Sequence, residues 1–131
     1  MKKYFIAGSL LVLVSTILVS CCCIFPKSNE FKADDSDKTF KGKTGETFTI
    51  LLKSNPTTGY DWHVGEYDKK IIELVKSKYT PNSKLIGAGG SKLYTFKILA
   101  TGKANLKFDY KRAWEKVQPL RTFKLNIVTK K

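Results

Sequence analysis

From about residue 38 onward, apolar and polar positions alternate along the chain. Phe48, Ile50 and Leu52 share one face of an extended segment, with Thr47, Thr49 and Leu51 on the other. Tyr60, Trp62 and Val64 alternate with Asp61 and His63, and Tyr94, Phe96 and Ile98 with Thr95 and Lys97. Ala104, Leu106, Phe108 and Tyr110 alternate with Asn105, Lys107, Asp109 and Lys111, and Phe123, Leu125 and Ile127 with Thr122, Lys124 and Asn126. A period of two is the mark of half-buried strands, because successive side chains point to opposite faces of a sheet. Ile71 to Lys78 is ambiguous: Ile71, Ile72, Leu74 and Val75 would also stripe a short helix. Its neighbours are strands, so a strand is expected there, and Lys38 to Lys41 is a candidate edge strand. Six to eight short strands with turn signals between them predict an all-β fold. The expected architecture is an immunoglobulin-like two-sheet antiparallel sandwich, with a closed barrel as the alternative.

The N-terminal segment has a different pattern. Lys2 and Lys3 precede an apolar run from Phe5 to Val19, too short for a permanent span but suited to a secretory signal. The run ends in Leu18-Val19-Ser20-Cys21, which resembles the lipobox of bacterial lipoproteins, where the cysteine after a small residue is lipidated and becomes the new N-terminus. A plain signal peptide followed by three incidental cysteines is the competing reading. The expected organisation is a lipoprotein-type signal over 1–20, a polar flexible tether over 21–37 and one β-sandwich domain over 38–131. The chain would then be exported and held on a membrane, at the cell surface or in the periplasm, through lipid on Cys21. Cys21, Cys22 and Cys23 are adjacent, so they cannot staple distant loops. No cysteine or histidine spacing suits a metal, and no cofactor is implied.

The formal charge is +13, which raises the question of nucleic acid. Arg112 and Arg121 are the only arginines, the other cations are lysines spread along the chain, and an exported protein meets little nucleic acid. A solvated lysine surface, able to favour anionic membranes or an acidic partner, is the better account. Catalysis finds no support either. His63 is the single histidine, read as a surface residue on the strand face opposite Trp62, and no Gly-x-Ser-x-Gly motif is present. No catalytic residues are therefore assigned.

Three loops carry residues that simple hairpins do not need. In Asn55-Pro56-Thr57-Thr58-Gly59-Tyr60, proline fixes one torsion and glycine can take the positive φ that ends a tight turn. An ordinary Asn-Pro turn is the plain alternative. Gly87-Ala88-Gly89-Gly90, after Leu85-Ile86, leads into a strand and not a helix, which argues against a phosphate cradle. Close approach of its backbone to another surface, or simple flexibility, are the two readings. In Tyr110-Lys111-Arg112-Ala113-Trp114-Glu115, a loop tryptophan stands near an arginine, two side chains favoured at interfaces, unless Trp114 folds back on the rim.

In that order the three motifs resemble the chagasin family of cysteine peptidase inhibitors. The family's Asn-Pro-Thr-Thr-Gly-Tyr/Phe, Gly-x-Gly-Gly and Arg-Pro-Trp loops are matched at Asn55 to Tyr60, Gly87 to Gly90, and Arg112 to Trp114, over about residues 40–129. Ala113 departs from the family's proline, which implies a less rigid third loop. The resemblance implies a monomeric, non-enzymatic, reversible and competitive inhibitor of papain-like cysteine peptidases. Asn55, Pro56, Thr57, Thr58, Gly59 and Tyr60 would enter the cleft, while Gly87, Ala88, Gly89, Gly90, Arg112 and Trp114 grip its walls. An adhesion or ligand-binding module on a lipoprotein tether is the alternative function. Trp62 is expected in the core and Trp114 on the binding surface.

Overall fold

The computed structural model describes residues 29–131, so the expected signal over 1–20 and Cys21 lie outside it. Eight strands follow in order: β1 (Asn29–Lys32), β2 (Lys38–Lys43), β3 (Thr47–Ser54), β4 (Tyr60–Val64), β5 (Ile72–Pro81), β6 (Gly90–Ile98), β7 (Gly102–Arg112) and β8 (Arg121–Lys130). They form two four-stranded sheets, ordered β1-β3-β6-β5 and β2-β8-β7-β4. The alternating positions supply the filling. Phe48, Ile50, Leu52, Phe96, Ile98, Leu106, Phe108, Leu125 and Ile127 are buried between the sheets. Aromatic rings thread the middle: Phe48 stacks on Phe96 at 5.5 Å, and Phe96 meets Phe108 edge-on at 6.1 Å. With no disulfide among the described residues, this core holds the domain together.

Two sandwich edges differ from an all-antiparallel plan. β1 pairs parallel with β3 and β2 pairs parallel with β8, whereas the other ladders are antiparallel. The chain lays β1 on the edge of one sheet, crosses through a short 3₁₀ turn (Ala33–Asp35), and lays β2 on the edge of the other. Asp35 fastens this crossing. Its carboxylate accepts from the Lys38 ammonium at 2.6 Å and the Lys32 N–H at 2.8 Å. Those bonds, the Lys38 one first, hold its carboxyl below the usual carboxylate range. Asp37 completes the crossing at φ 65°, a left-handed conformation that a short polar residue tolerates.

The expected tether over 21–37 is thus corrected: residues 29–37 belong to the fold. Phe31 is an isolated apolar residue in a polar stretch and shows no period. Its ring nevertheless packs on Phe40 at 5.1 Å and Phe48 at 6.3 Å. The ambiguous stretch near Ile71 also has a physical explanation. β5 is a strand, but its register slips between Leu74 and Lys76, a bulge that leaves Val75 exposed while Ile72 is buried. The extra residue breaks the period of two and mimics a helical one.

Candidate functional site

Strand register brings the three singled-out loops to one end of the sandwich. Ser54, at the end of β3, pairs with Gly90 at the start of β6, and Gly90 also pairs with Pro81 at the end of β5. Tyr60 at the start of β4 pairs with Arg112 at the end of β7. The segments 55–59, 82–89 and 113–120 are therefore neighbours.

The central loop is a single 3₁₀ turn, Pro56–Thr58, closed by Thr58 N–H to Asn55 O (3.2 Å) and Gly59 N–H to Pro56 O (2.9 Å). Its side chains reinforce it from within. Thr57 Oγ1 donates to Asn55 Oδ1 at 2.5 Å, and Thr58 Oγ1 to Asn55 O at 2.7 Å. Pro56, Thr57 and Thr58 stand exposed at the tip. Asn55 is the bracket on which this tip rests. Its backbone N–H donates to Tyr110 Oη at 3.2 Å, and its amide reaches Gly87 O at 3.5 Å. Both neighbouring elements therefore hold the same residue.

Gly59 carries two requirements at once. It sits at φ 80°, where only glycine is unstrained, and a Cβ there would come within 2.5 Å of the Trp114 ring. Trp114 thus folds one edge of its indole onto Gly59 yet stays 69 % exposed. Arg112 turns toward the scaffold. Its Nε donates to Thr58 O at 3.2 Å, its Nη1 pairs with Glu115 at 2.8 Å, and its guanidinium lies 4.5 Å over the Tyr60 ring. The Glu115 carboxylate keeps the guanidinium firmly protonated. Tyr60 in turn stacks on Tyr110, and Tyr110 packs at a tilt against Trp62. Trp62 is 5 % exposed and donates from Nε1 to Lys53 O at 2.9 Å.

Ala113 is exposed, and its N–H donates no backbone hydrogen bond. The Arg112–Glu115 ion pair bridges the loop on either side of this residue. In the second loop Gly87 takes φ 84°, and Gly90 is buried where a side chain would strike Thr80 O and the Tyr79 ring. Ala88 and Gly89 form the half-buried inner limb.

The structure adds residues that letter patterns did not single out. Leu85 (77 % exposed) and Ile86, as open as in an extended chain, crown the second loop, while Val117 and Leu120 stand exposed on the third. For Leu85-Ile86 the signal was present as adjacent aliphatics within a polar, glycine-rich loop, whereas Val117 and Leu120 stand singly in a loop without glycine. Asp61 and His63 do not form a catalytic pair. Asp61 is taken by Lys92 (2.6 Å), Ser54 Oγ (3.3 Å) and its neighbour's N–H (2.8 Å). His63 is not the open surface residue expected. It is half-buried, and its Nε2 is enclosed without a hydrogen-bond partner. No grouping of residues able to hold a metal ion occurs among the described residues.

The chain is similar in sequence and fold to known peptidase inhibitors. Residues 41–127 match the model of the chagasin family of peptidase inhibitors (I42). The chain is 37 % identical to chagasin of Trypanosoma cruzi over 75 residues, covering 53 % of this chain and 68 % of that protein. It is 33 % identical to amoebiasin-1 of Entamoeba histolytica over 98 residues, covering 72 % of this chain and 92 % of that one. A crystal structure of a cysteine protease inhibitor from Entamoeba histolytica superposes with a TM-score of 0.72 at 25 % identity, covering 78 % of this chain and 95 % of the other.

Proposed function

Since the chain belongs to the chagasin family of peptidase inhibitors and is a cysteine peptidase inhibitor, not an enzyme, we propose that its three-loop end blocks the active-site cleft of papain-like peptidases. The 3₁₀ tip Pro56–Thr58 enters at the catalytic cysteine. Leu85 and Ile86 on one side, and Trp114, Val117 and Leu120 on the other, cover the cleft walls. One observation carries this reading: an exposed, internally hydrogen-bonded tip is braced from both flanks, and the flanks display apolar side chains that the fold does not use. Inhibition is steric. The tip is already ordered, so little conformational entropy is lost on binding, and an interface of roughly 800 Å² per partner suffices for tight association. Arg112 and Gly59 act within the inhibitor: Arg112 holds the tip carbonyl at Thr58, and Gly59 makes room for Trp114.

The test is titration of papain with the purified protein. The expected result is one-to-one, reversible, substrate-competitive inhibition with the inhibitor chain uncut after long incubation, and no effect on trypsin. Papain left fully active by stoichiometric protein would remove the proposal.

A second reading concerns residues beyond the described fold. Leu18-Val19-Ser20-Cys21 supports lipid attachment at Cys21, export and residence on a membrane. Mass spectrometry of the membrane-extracted chain should find an acylated N-terminal cysteine, and Cys21→Ser should release the protein. A mature chain that starts elsewhere and carries no lipid excludes it.

A further inference from the structure

One face of the sandwich carries a charge pattern that the loops do not explain. On β2, β8 and β7 the residues pointing away from the core include Lys41, Lys43, Lys103, Lys107, Lys124 and Lys130, all exposed. Lys107 lies directly opposite Lys124, and Lys43 directly opposite Lys130, across adjacent strands. Lys103 and Lys41 flank Val128 on its two sides. Asn105, Asn126 and Thr39 form an uncharged row between these lysines. Asp109 is the one carboxylate on the three strands, and it pairs with Lys107 at 3.2 Å. Like charges directly opposite each other weaken a sheet. The opposite sheet mixes its signs, with Glu73 paired in register to Lys97 and Glu30 beside Lys32. The strands of the opposite sheet also carry lysines (Lys32, Lys53, Lys76, Lys78, Lys92 and Lys97), but none of them lies in register with another. The facing lysine pairs of β2, β8 and β7 call for a partner that relieves them.

We propose that the outer face of β2, β8 and β7 is a docking surface for an anionic phospholipid bilayer, on which the domain lies flat. A bilayer is a plane of diffuse negative charge, and this face is a plane of lysines without arginine. Lysine ammoniums act as hydrated point charges suited to such a surface, where each contributes on the order of 1 kcal/mol. The choice of a bilayer over a soluble polyanion rests on the reading of Cys21 as a lipid anchor. Asn29, where β1 begins at the edge of the opposite sheet, stands eight residues after Cys21, so a lipid there would keep the sandwich near a membrane, and the lysines choose which face meets it. The lysines gather away from the loop end, since β7 starts at Gly102 and reaches the loops at Arg112. The tip Pro56–Thr58 therefore projects along the membrane and stays free to enter a cleft.

The test is lysine acetylation footprinting of the full chain, read by mass spectrometry. The chain is reconstituted on phosphatidylcholine vesicles and on vesicles containing about a third phosphatidylglycerol, at about 0.05 and 0.5 M NaCl. Acetylation of Lys41, Lys43, Lys103, Lys124 and Lys130 should fall by about threefold or more on the anionic vesicles and recover in high salt, with Lys76, Lys78 and Lys84 unchanged. The same digest reports whether Cys21 is acylated, so the two readings are judged separately. Acylated protein whose lysines are labelled equally on both vesicles overturns the docking face, as does protection spread evenly over all lysines. Equal protection by soluble heparin at matched charge assigns the face to a soluble polyanion and likewise overturns the proposal. A further variant guards against misfolding artefacts. Lys124→Glu should reduce the vesicle protection of the remaining face lysines, keep papain inhibition unchanged and raise Tm by relieving the Lys107–Lys124 repulsion. A lower Tm with vesicle protection retained would make Lys124 a structural residue and defeat the proposal.

Discussion

At the scale of single residues, the two tryptophans have opposite duties. Trp62 is buried and anchored to Lys53 O, so Trp62→Ala should cost about 3–5 kcal/mol of stability, a loss that can unfold a domain of this size. Trp114 is mostly exposed. Its removal should leave the melting temperature nearly unchanged while weakening papain inhibition about thirtyfold, or roughly 2 kcal/mol. Thermal melting and inhibition titration of both alanine variants check this. An early-melting Trp114→Ala that keeps full inhibition would assign the ring to the rim. Gly59→Ala meets a positive φ and the Trp114 ring together, so it should weaken inhibition more than tenfold and lower stability on the order of 1–2 kcal/mol. Adding Trp114→Ala to that variant should recover none of the strain at φ 80°, which separates the two causes. The glycine's need for positive φ was legible in the motif. Its contact with Trp114 was not, because the two are far apart in sequence and meet only through the Tyr60–Arg112 pairing. Arg112 follows the same logic. Its letters suggested an interface side chain, and its bonds to Thr58 and Glu115 add a bracing role that they did not reveal.

At the scale of elements, β1 is the part that alternation could not reveal. Four residues give too few repeats for a period, and Phe31 is the single large apolar side chain among them. Phe31→Ala should lower stability by about 2 kcal/mol, less than a fully buried phenylalanine because its ring is partly exposed. Denaturant melting checks this, and inhibition by the folded fraction should be unchanged, since β1 touches none of the loops. A chain cut to begin at Phe31 would lose half the β1 ladder, so a truncated protein should begin at or before Asn29. Strands with long, regular alternation, such as β3, β6, β7 and β8, were readable because one face of each is buried throughout. β5 was harder to read because its bulge shifts the inward face partway along.

At the scale of the whole molecule, net charge was visible in the composition, but its distribution was not. Six lysines that are scattered in sequence are brought onto one sheet face by the register of β2, β7 and β8. Self-repulsion of its cationic excess should make the domain more stable as salt screens it. Tm is expected to rise between about 0.02 and 0.3 M NaCl, measured by calorimetry in a weakly binding buffer. A fall would mean that the surface ion pairs outweigh the repulsion. The parallel pairing of β1 with β3 has a mechanical consequence. Asn29 lies level with Phe48, roughly 23 Å along the strand from Asn55 at about 3.3 Å per residue. Suppose a load pulls on the chain ahead of Asn29 while a bound enzyme holds the tip. The force then runs along the strand axis and shears the β1–β3 hydrogen bonds together, without unzipping them one at a time. The inhibitor is built to be tugged from its base without letting go at its point.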